Sequence, residues 1–439
     1  MHCNQCEWTP DGGCTTVGIC GKEPDINGLQ ELALYGAKGV SAYATHARDL
    51  GYVDADVDGT IHEALYTTLT NVNFDVSDHL SLALEVGDAA ISVMELLDEA
   101  HTNELGTPEP TTVPQNRVQG RPILVTGHDM HAMKQLLQQT KDIEDVHVYT
   151  HSEMLPAHSY PKLAAFDHLH GNIGGAWHDQ QQLFAEFPGP IVGTSNCLRP
   201  PSQDYADRFF TTGVTGLERA TAIEDGDFSP VAEIARSMEP VSWESDETIT
   251  TGFHHDVLLG KLEEIAAAVE NGDIRRFFVV AGCDGPTGGR EYYREFVDML
   301  PEDCVVITSS CGKFRFNDLS FGNVPGTDIP RYIDVGQCND SISAAIFAKE
   351  MAAHLDCGVN DLPLSFVLSW FEQKAVAVLL ALLSLGVKDI YLGPELPEFL
   401  TPALIEQLNQ QFGLQPTTQA KDDLHEMLDT DPSSSAAAD

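Results

Sequence analysis

The sequence predicts an α/β protein in which an N-terminal helical domain precedes two Rossmann-like, doubly wound α/β domains. Residues 29–100 carry the periodicity of amphipathic helices, and a proline-rich stretch follows them. Beyond it, short apolar runs alternate with helical patterns in two successive blocks, which is typical of parallel sheets covered by helices. We therefore expect domains at 1–118, 119–248 and 249–428, followed by a disordered tail at 429–439.

The individual elements follow from hydrophobic periodicity and turn residues. Candidate helices lie at 29–50, 60–71, 77–100 and 258–271, and the prolines of 105–116 predict a linker. The polar, acidic stretch 243–251 predicts the boundary between the two α/β blocks. Candidate strands are runs rich in β-branched and aromatic residues, and they lie at 122–126, 146–149, 189–193, 277–280, 304–308, 332–335, 365–369 and 389–392.

Composition excludes several classes of protein. The 439 residues are 42% apolar, with no apolar run near the ~20 residues of a membrane span. The N-terminus lacks a signal-peptide pattern, so we expect a cytoplasmic protein without a membrane partner. The net charge of −43 is spread along the chain, which argues against a nucleic-acid partner and is typical of a halophilic surface.

Four cysteines near the N-terminus form a candidate metal motif, at positions 3, 6, 14 and 20. Four thiolates within eighteen residues can converge on one zinc ion or one iron–sulfur cluster. Only Cys3 and Cys6 have the spacing of a zinc knuckle, and the uneven loops favour an iron–sulfur cluster over zinc. Disulfides are the weakest alternative in a large chain of this kind.

Seven residues follow the predicted strands within a few positions: His128, Glu153, Cys197, Cys283, Cys311, Cys338 and Glu372. Each one alone is ordinary, because a single cysteine behind a strand is most often a buried thiol. Together they lie where parallel sheets bind ligands, and they are too many for one zinc ion. Thiolates, carboxylates and an imidazole suit a multinuclear iron centre. Cys304 and Cys357 do not follow strands, and we interpret both as structural.

Several long motifs resemble the hybrid-cluster proteins, also called prismane proteins or hydroxylamine reductases, from Met1 to about Leu428. They are CNQCEWTPDGGCTTVGIC, TNVNFD, GHDM, THSEMLPAHSYP, GNIGGAWHDQQ, GTSNC, FTTGVTG, AGCDG, CGKFRFN, DVGQCND and SWFEQKAVAVLLALLSLGVKDIYLGPELP. The resemblance implies the hybrid-cluster/carbon monoxide dehydrogenase-like architecture. Between Asp75 and Arg121 the chain is short, and it resembles the class that lacks a second helical bundle.

The resemblance also implies cofactors and their ligands. A [4Fe–4S] cluster would be bound by Cys3, Cys6, Cys14 and Cys20. A hybrid [4Fe–2O–2S] cluster would be bound by His128, Glu153, Cys197, Cys283, Cys311, Cys338 and Glu372. Cys283 corresponds to the cysteine that carries a persulfide in that family.

The activity implied is the two-electron reduction of hydroxylamine to ammonia and water, with nitric oxide as a further substrate in nitrosative stress defence. Glu153 and Glu372 are the candidate labile carboxylates. Lys374 is a candidate proton donor if the chain there is extended, and the alternative is a surface lysine or an ion pair. His151 and His158 are candidates to orient Glu153 or to relay protons.

Other functions stay open at this point. Carbon monoxide dehydrogenase shares the architecture, although the two glutamates argue against its nickel–iron centre. A nitric oxide sensor or protein S-nitrosylating factor would use the same ligands, and a zinc-stapled α/β protein is the plainest alternative. No GxGxxG follows a strand, so we expect electrons from a ferredoxin or a partner reductase rather than from bound nicotinamide.

The acidic surface predicts stability that depends on salt. With a net charge of −43, repulsion between carboxylates destabilises the folded chain unless ions screen it. Molar salt shortens the screening length to about 3 Å. We expect the melting temperature to fall between molar and millimolar potassium chloride, as followed by circular dichroism. An unchanged melting temperature would contradict the halophilic interpretation.

Overall fold

Three helices follow the cysteine motif: α1 (Pro24–Asp49), α2 (Ala55–Thr67) and α3 (Val76–Leu105). The computed structural model describes residues 1–429, so from residue 430 onwards the predicted disordered tail lies outside the described residues. The helices begin where local chemistry permits. Pro24 occupies the first turn of α1, and the Asp54 and Asp75 side chains accept backbone N–H groups at the starts of α2 and α3.

Both predicted connections contain strands. The stretch expected to be a linker contains strand β1 (Thr111–Pro114). The acidic stretch predicted as a boundary contributes to β8 (Val241–Trp243) and contains β9 (Thr248–Thr251), which pairs antiparallel with β1. Because the pairing joins residues about 140 positions apart, with Thr111 opposite Thr251, local sequence patterns carried no sign of it.

The first large sheet has seven strands. Besides β8 they are β2 (Arg117–Thr126), β3 (Val146–His151), β4 (Leu169–Asn172), β5 (Ile191–Gly193), β6 (Phe209–Thr211) and β7 (Thr221–Ala222). The order is β4-β3-β2-β5-β6-β7 with parallel pairs, and β8 pairs antiparallel with β2. Its helices are α4 (Met130–Thr140), α5 (Pro161–Ala164), α6 (Gln180–Glu186) and α7 (Ser229–Ser237).

The second large sheet repeats this order with six parallel strands, β12-β11-β10-β13-β14-β15. They are β10 (Arg276–Gly282), β11 (Cys304–Thr308), β12 (Tyr332–Asp334), β13 (Leu364–Ser369), β14 (Ile390–Gly393) and β15 (Gln415–Pro416). The helices are α8 (His255–Leu259), α9 (Leu262–Glu270), α10 (Glu291–Asp298), α11 (Ser341–His354), α12 (Gln373–Ser384), α13 (Pro402–Phe412) and α14 (Ala420–Asp429). The single helix predicted at 258–271 is therefore two helices, interrupted at Gly260.

In both sheets the direction of winding reverses beside the first strand, between β2 and β5 and between β10 and β13. Such a reversal opens a crevice at the carboxyl ends of the two strands, where α/β proteins bind ligands. The strands that periodicity missed, such as β7 and β15, have two to four residues, which is too short for a reliable pattern.

The N-terminal helices and the second sheet share one hydrophobic core. Val40 of α1, Val86 of α3 and Leu380 of α12 are buried together, and the cluster extends to Phe366 of β13. This core crosses the predicted boundary between the helical domain and the second α/β domain, and the division into domains stays a prediction. No helix among residues 1–429 is both long enough and apolar enough to cross a membrane.

Close contact between α3 and α12 makes Gly87 a sensitive position. A Cβ atom there would lie 2.2 Å from the backbone oxygen of Leu380, so the two helices would have to separate. We expect Gly87→Ala to lower the free energy of unfolding by about 1–3 kcal/mol, measured by urea denaturation.

Gly59 is the matched control. It is exposed on α2, and no atom lies within 4 Å of the position that its Cβ would take. There the gain in helix propensity is unopposed, so Gly59→Ala should raise the free energy of unfolding by up to about 1 kcal/mol. Equal effects of the two substitutions would argue against the close contact.

Candidate metal centre

The two large sheets present their carboxyl edges to each other, and the seven predicted ligands lie there. The first sheet supplies His128 after β2, Glu153 after β3 and Cys197 after β5. The second supplies Cys283 after β10, Cys311 after β11, Cys338 after β12 and Glu372 after β13. Contacts between the two sets, described below, bring them into one buried centre.

Left-handed backbone conformations turn these side chains out of their strands. Positive φ angles occur directly before four of them, at Gly127 (107°), Ser152 (54°), Gly282 (115°) and Ser310 (65°), and at Cys197 itself (63°). For residues other than glycine this conformation costs about 1–3 kcal/mol and clusters at functional sites. A glycine or serine directly before a candidate ligand is thus a sequence signal for these turns, and hydrophobic periodicity does not detect it.

His128, Glu153 and Cys338 bring one nitrogen, one oxygen and one sulfur atom within 4.8 Å of one another. Nε2 of His128 lies 3.7 Å from Oε2 of Glu153, which accepts the backbone N–H of Cys338 at 3.2 Å. Burial lowers the pKa of His128 well below its usual value and raises that of Glu153, so the pair is not a charged ion pair at neutral pH. A neutral imidazole is the form that binds metals.

Two side chains hold this group in place. Oγ of Ser195 accepts the backbone N–H of His128 and lies 2.8 Å from its Nδ1, which leaves Nε2 facing Glu153. Nε2 of Gln337, on the second sheet, donates to the carbonyls of His128 (3.2 Å) and Glu153 (2.6 Å). Sequence patterns gave no indication of either residue, since both roles depend on contacts between the two sheets.

The four thiols at the centre are close to one another and to the glutamates. The Cys311 sulfur lies 3.4 Å from Oγ of Ser152, and the Cys197 and Cys311 thiols are close enough to affect each other's pKa. Burial and then the charge of Glu372 raise the pKa of Cys283. Burial raises the pKa of Cys338 to about 12, and the pKa values of the other three are also raised.

The chemistry of this donor set fits a soft, multiply charged metal group. A bound metal deprotonates coordinating thiols outright, which offsets their raised pKa values. Oε1 of Glu153 is buried and has no hydrogen-bond partner among the described residues. Because an unpaired buried carboxylate oxygen is costly, it favours a cation at this position.

The structure corrects the expected backbone at Lys374. It lies in the first turn of α12 rather than in an extended segment, and its backbone N–H donates to the Glu372 carboxylate at 3.2 Å. The Lys374 side chain is only 2% exposed, so it is not a surface lysine. Burial acts to lower its pKa, but the negative charges of Cys338, Glu372 and Cys197 outweigh that effect and raise it.

A second buried lysine was missed from the sequence. Lys313, two residues after Cys311, is 1% exposed and donates to Oδ1 of Asp334 (2.5 Å) and to the carbonyl of Gly336 (2.7 Å). Its charge acts to lower the pKa of Glu153 against the larger effect of burial. The sequence signal that could have identified Lys313 is its position two residues after the candidate ligand Cys311, in the same turn.

The two histidines beside Glu153 do not orient it. Nδ1 of His151 pairs with Oγ1 of Thr126 (2.9 Å), and Nε2 of His158 pairs with Oγ1 of Thr150 (3.0 Å). Neither histidine is hydrogen-bonded to the carboxylate, because each ring is turned towards a threonine of the sheet. The predicted orienting role is therefore wrong for both.

The N-terminal cysteines form a separate group. Cys3 and Cys14 are joined by two backbone hydrogen bonds, and Nζ of the buried Lys22 donates to Sγ of Cys3 at 3.9 Å. Cys6 and Cys20 are half-buried, and no hydrogen bond among the described residues joins either one to another cysteine. All ten cysteines are free. Four free thiols beside an ammonium group are compatible with the predicted cluster.

Two open sheets that jointly present a thiolate-rich donor set define an α/β protein built to hold a metal centre. The chain belongs to the Prismane/CO dehydrogenase family, whose family model matches residues 1–81 and 51–425. The family that the motifs indicated is therefore confirmed.

Curated relatives extend over nearly the whole chain. The hydroxylamine reductases of Moorella thermoacetica and Methanothermobacter thermautotrophicus are 51% and 45% identical to it, and each alignment covers 98% of this chain and 100% of the relative. The hydroxylamine reductase of Acidithiobacillus ferrooxidans is 51% identical over 89% of this chain but only 70% of its own length. The chain thus matches both relatives of its own length and longer ones.

Solved structures confirm the fold class. Carbon monoxide dehydrogenase IV from Carboxydothermus hydrogenoformans superposes with a TM-score of 0.77 at 13% identity, covering 99% of this chain and 93% of that chain. The Ni-free carbon monoxide dehydrogenase from Thermococcus sp. AM4 gives 0.75 at 17% identity, covering 98% and 90%. At such identities the likeness concerns the architecture alone.

The Lys313–Asp334 pair predicts a large stability effect. Both side chains are at most 1% exposed, so removal of the lysine leaves a buried carboxylate without its partner. We expect Lys313→Met to lower the free energy of unfolding by about 3–5 kcal/mol, and Lys313→Met/Asp334→Leu to recover most of it.

The exposed Arg294–Asp318 pair is the control, with side chains 38% and 62% exposed. Arg294→Met should cost at most about 1 kcal/mol, because solvent screens the pair. Urea denaturation of all variants under identical salt measures the difference. If Lys313→Met lowers the free energy of unfolding no more than Arg294→Met does, the buried ion pair does not make the expected contribution to stability.

Proposed function

We propose that this protein is a hydroxylamine reductase, which reduces hydroxylamine with two electrons and two protons to ammonia and water. The observation that carries the proposal is the buried group of four thiols, two carboxylates and one imidazole between the two sheets. Full-length relatives that bear this activity as their name support it.

The residues that would hold the metal groups are those at the two cysteine-containing sites. Cys3, Cys6, Cys14 and Cys20 would bind a [4Fe–4S] cluster. His128, Glu153, Cys197, Cys283, Cys311, Cys338 and Glu372 would bind a hybrid [4Fe–2O–2S] cluster, with Cys283 as its persulfide. When bound, these groups supply stored electrons and an iron position that the substrate can occupy.

The two glutamates differ in how firmly the protein holds them. Glu153 is 2% exposed and its carboxylate accepts the backbone N–H of Cys338. Glu372 is half-buried, and its carboxylate likewise accepts one backbone N–H, that of Lys374, so the two glutamates differ in their exposure to solvent. The Glu372 side chain therefore moves at lower cost, and we assign to it the role of the labile carboxylate that makes room for substrate.

Lys374 supplies a proton at Nζ. Its raised pKa keeps the ammonium charged at neutral pH, and its position two residues after Glu372, in the first turn of α12, places the charge beside the proposed substrate position. There the ammonium donates a hydrogen bond to the hydroxyl oxygen of hydroxylamine, which leaves as water once the N–O bond breaks. Catalysis by such a group contributes about 10²–10⁴-fold in rate.

The remaining assignments concern location and partners. The enzyme acts in the cytoplasm, where thiols stay reduced. A ferredoxin or a partner reductase is the electron donor, and a cluster held by the N-terminal cysteines would supply the electron-accepting group. Nitric oxide is the second substrate, and its reduction links the enzyme to nitrosative stress.

Steady-state turnover and spectroscopy test this function together. Anaerobically purified protein should reduce hydroxylamine to ammonia with an artificial electron donor. Electron paramagnetic resonance during a redox titration should detect two iron centres. Nickel together with carbon monoxide oxidation would instead favour a dehydrogenase, and binding of nitric oxide without turnover would favour a sensor.

Lys374→Met refines the same test. We expect kcat for hydroxylamine to fall about 10²-fold or more with iron content unchanged, because the proton donor is lost. Lys388→Met is the control, since Lys388 is exposed near the opposite end of α12. Lys374→Met with wild-type turnover at every pH would exclude the proposed role.

A further inference from the structure

A buried arginine lies beside the centre without an acidic partner in the part of the chain that the structure describes. Arg290 is 4% exposed and directly precedes α10. Its Nη1 donates to the carbonyl of Cys283 at 3.1 Å, and its Nη2 donates to the carbonyl of Trp370 at 2.9 Å. Its Nε lies 3.4 Å from Oγ1 of Thr287. Within residues 1–429 no carboxylate lies at ion-pairing distance from Arg290.

This arrangement differs from that of the neighbouring arginine. Arg315 pairs with the carboxylates of Asp284 and Glu291, as a partly buried guanidinium ordinarily does. A buried charge without a counterion is costly unless other groups of the protein compensate it. At Arg290 the nearby compensation consists of carbonyl dipoles on the two turns that carry Cys283 and Glu372.

The two carbonyls belong to the turns that follow neighbouring strands. Cys283 follows β10, and Trp370 lies two residues before Glu372, after β13. The Cys283 carbonyl also accepts a hydrogen bond from the Ser369 hydroxyl, at an O–O distance of 2.5 Å. Arg290 is attached to neither strand, since it belongs to the loop before α10. Its planar fork thus joins both turns from a third position, in addition to the backbone hydrogen bond from the Cys283 N–H to the Ser369 carbonyl.

We propose that Arg290 is a positioning residue for the reaction: its fork fixes the Cys283 sulfur relative to the Glu372 carboxylate, and its charge offsets the negative donor set. The inference rests on the proposed function, because it takes these residues to hold the second metal centre. A guanidinium near that centre favours the more negatively charged, reduced state by simple electrostatic attraction.

Two substitutions separate geometry from charge. Arg290→Lys keeps the charge but reaches the carbonyls from a single nitrogen atom, so the fork is lost. Arg290→Gln loses the charge as well. The control is Arg331→Lys, because Arg331 also donates to backbone carbonyls, including those of Cys304 and Pro301, at the opposite end of the second sheet.

The measurements are kcat and KM for hydroxylamine, iron content, melting temperature and a redox titration followed by electron paramagnetic resonance. We expect Arg290→Lys to lower kcat at least tenfold with KM changed less than twofold, since misplaced reacting groups slow the chemical step. The resonance signal of the second centre should change while that of the N-terminal centre does not. Arg290→Gln should in addition lower the midpoint potential of the second centre.

Arg331→Lys should lower the melting temperature and leave both resonance signals and kcat unchanged. The inference is overturned if the Arg290 variants keep wild-type signals and kcat, or if Arg331→Lys alters the second centre in the same way. If wild-type protein fails to reduce hydroxylamine but the second centre responds to Arg290 as described, the proposed function fails and the positioning role stands.

Discussion

The centre depends on the contact between the two sheets that Gln337 makes. One amide nitrogen of this residue, on the second sheet, donates to the carbonyls of His128 and Glu153 on the first. Neither sheet alone carries all seven candidate donor groups, since three come from the first and four from the second. The same edge is also joined by Trp177, whose indole donates to the carbonyl of Asp284. Fixing these backbones fixes the ligands, because each ligand follows its strand within a few residues.

Charge is the second constraint, because the crevice collects negative groups where water is largely excluded. Two buried lysines respond to this in different ways. Lys313 is tied to Asp334 and to a carbonyl, so it acts as part of the scaffold. Lys374 forms no ion pair within residues 1–429, and the negative charges of nearby cysteines and glutamates raise its pKa against the effect of burial. The first lysine therefore stabilises the fold, whereas the second has no such fixed partner among residues 1–429 and is the one that we propose as proton donor.

The helical part of the chain also shapes the centre. Helix α12 begins immediately after Glu372, and it is packed against α1 and α3 through positions where glycines allow close approach, such as Gly87. Helix α1 places Tyr43 beside Cys338, and burial followed by the charge of Cys338 raises the pKa of that tyrosine. Displacement of the helices would thus move Glu372 and Lys374 together. The N-terminal helices, which carry none of the seven candidate ligands, therefore still affect the position of Glu372 through the shared core.

Local patterns in the sequence determined three strands of the first sheet, five strands of the second sheet and the ligand candidates that follow them. Buried parallel strands leave apolar runs, and ligands directly behind those runs, such as Cys283, need no knowledge of distant residues. Tertiary structure alone decided which groups meet, since Glu153 and the backbone of Cys338 are 185 positions apart. It also decided that Lys374 begins a helix and that His151 faces Thr126. Such outcomes depend on long-range contacts, which hydrophobic periodicity does not encode.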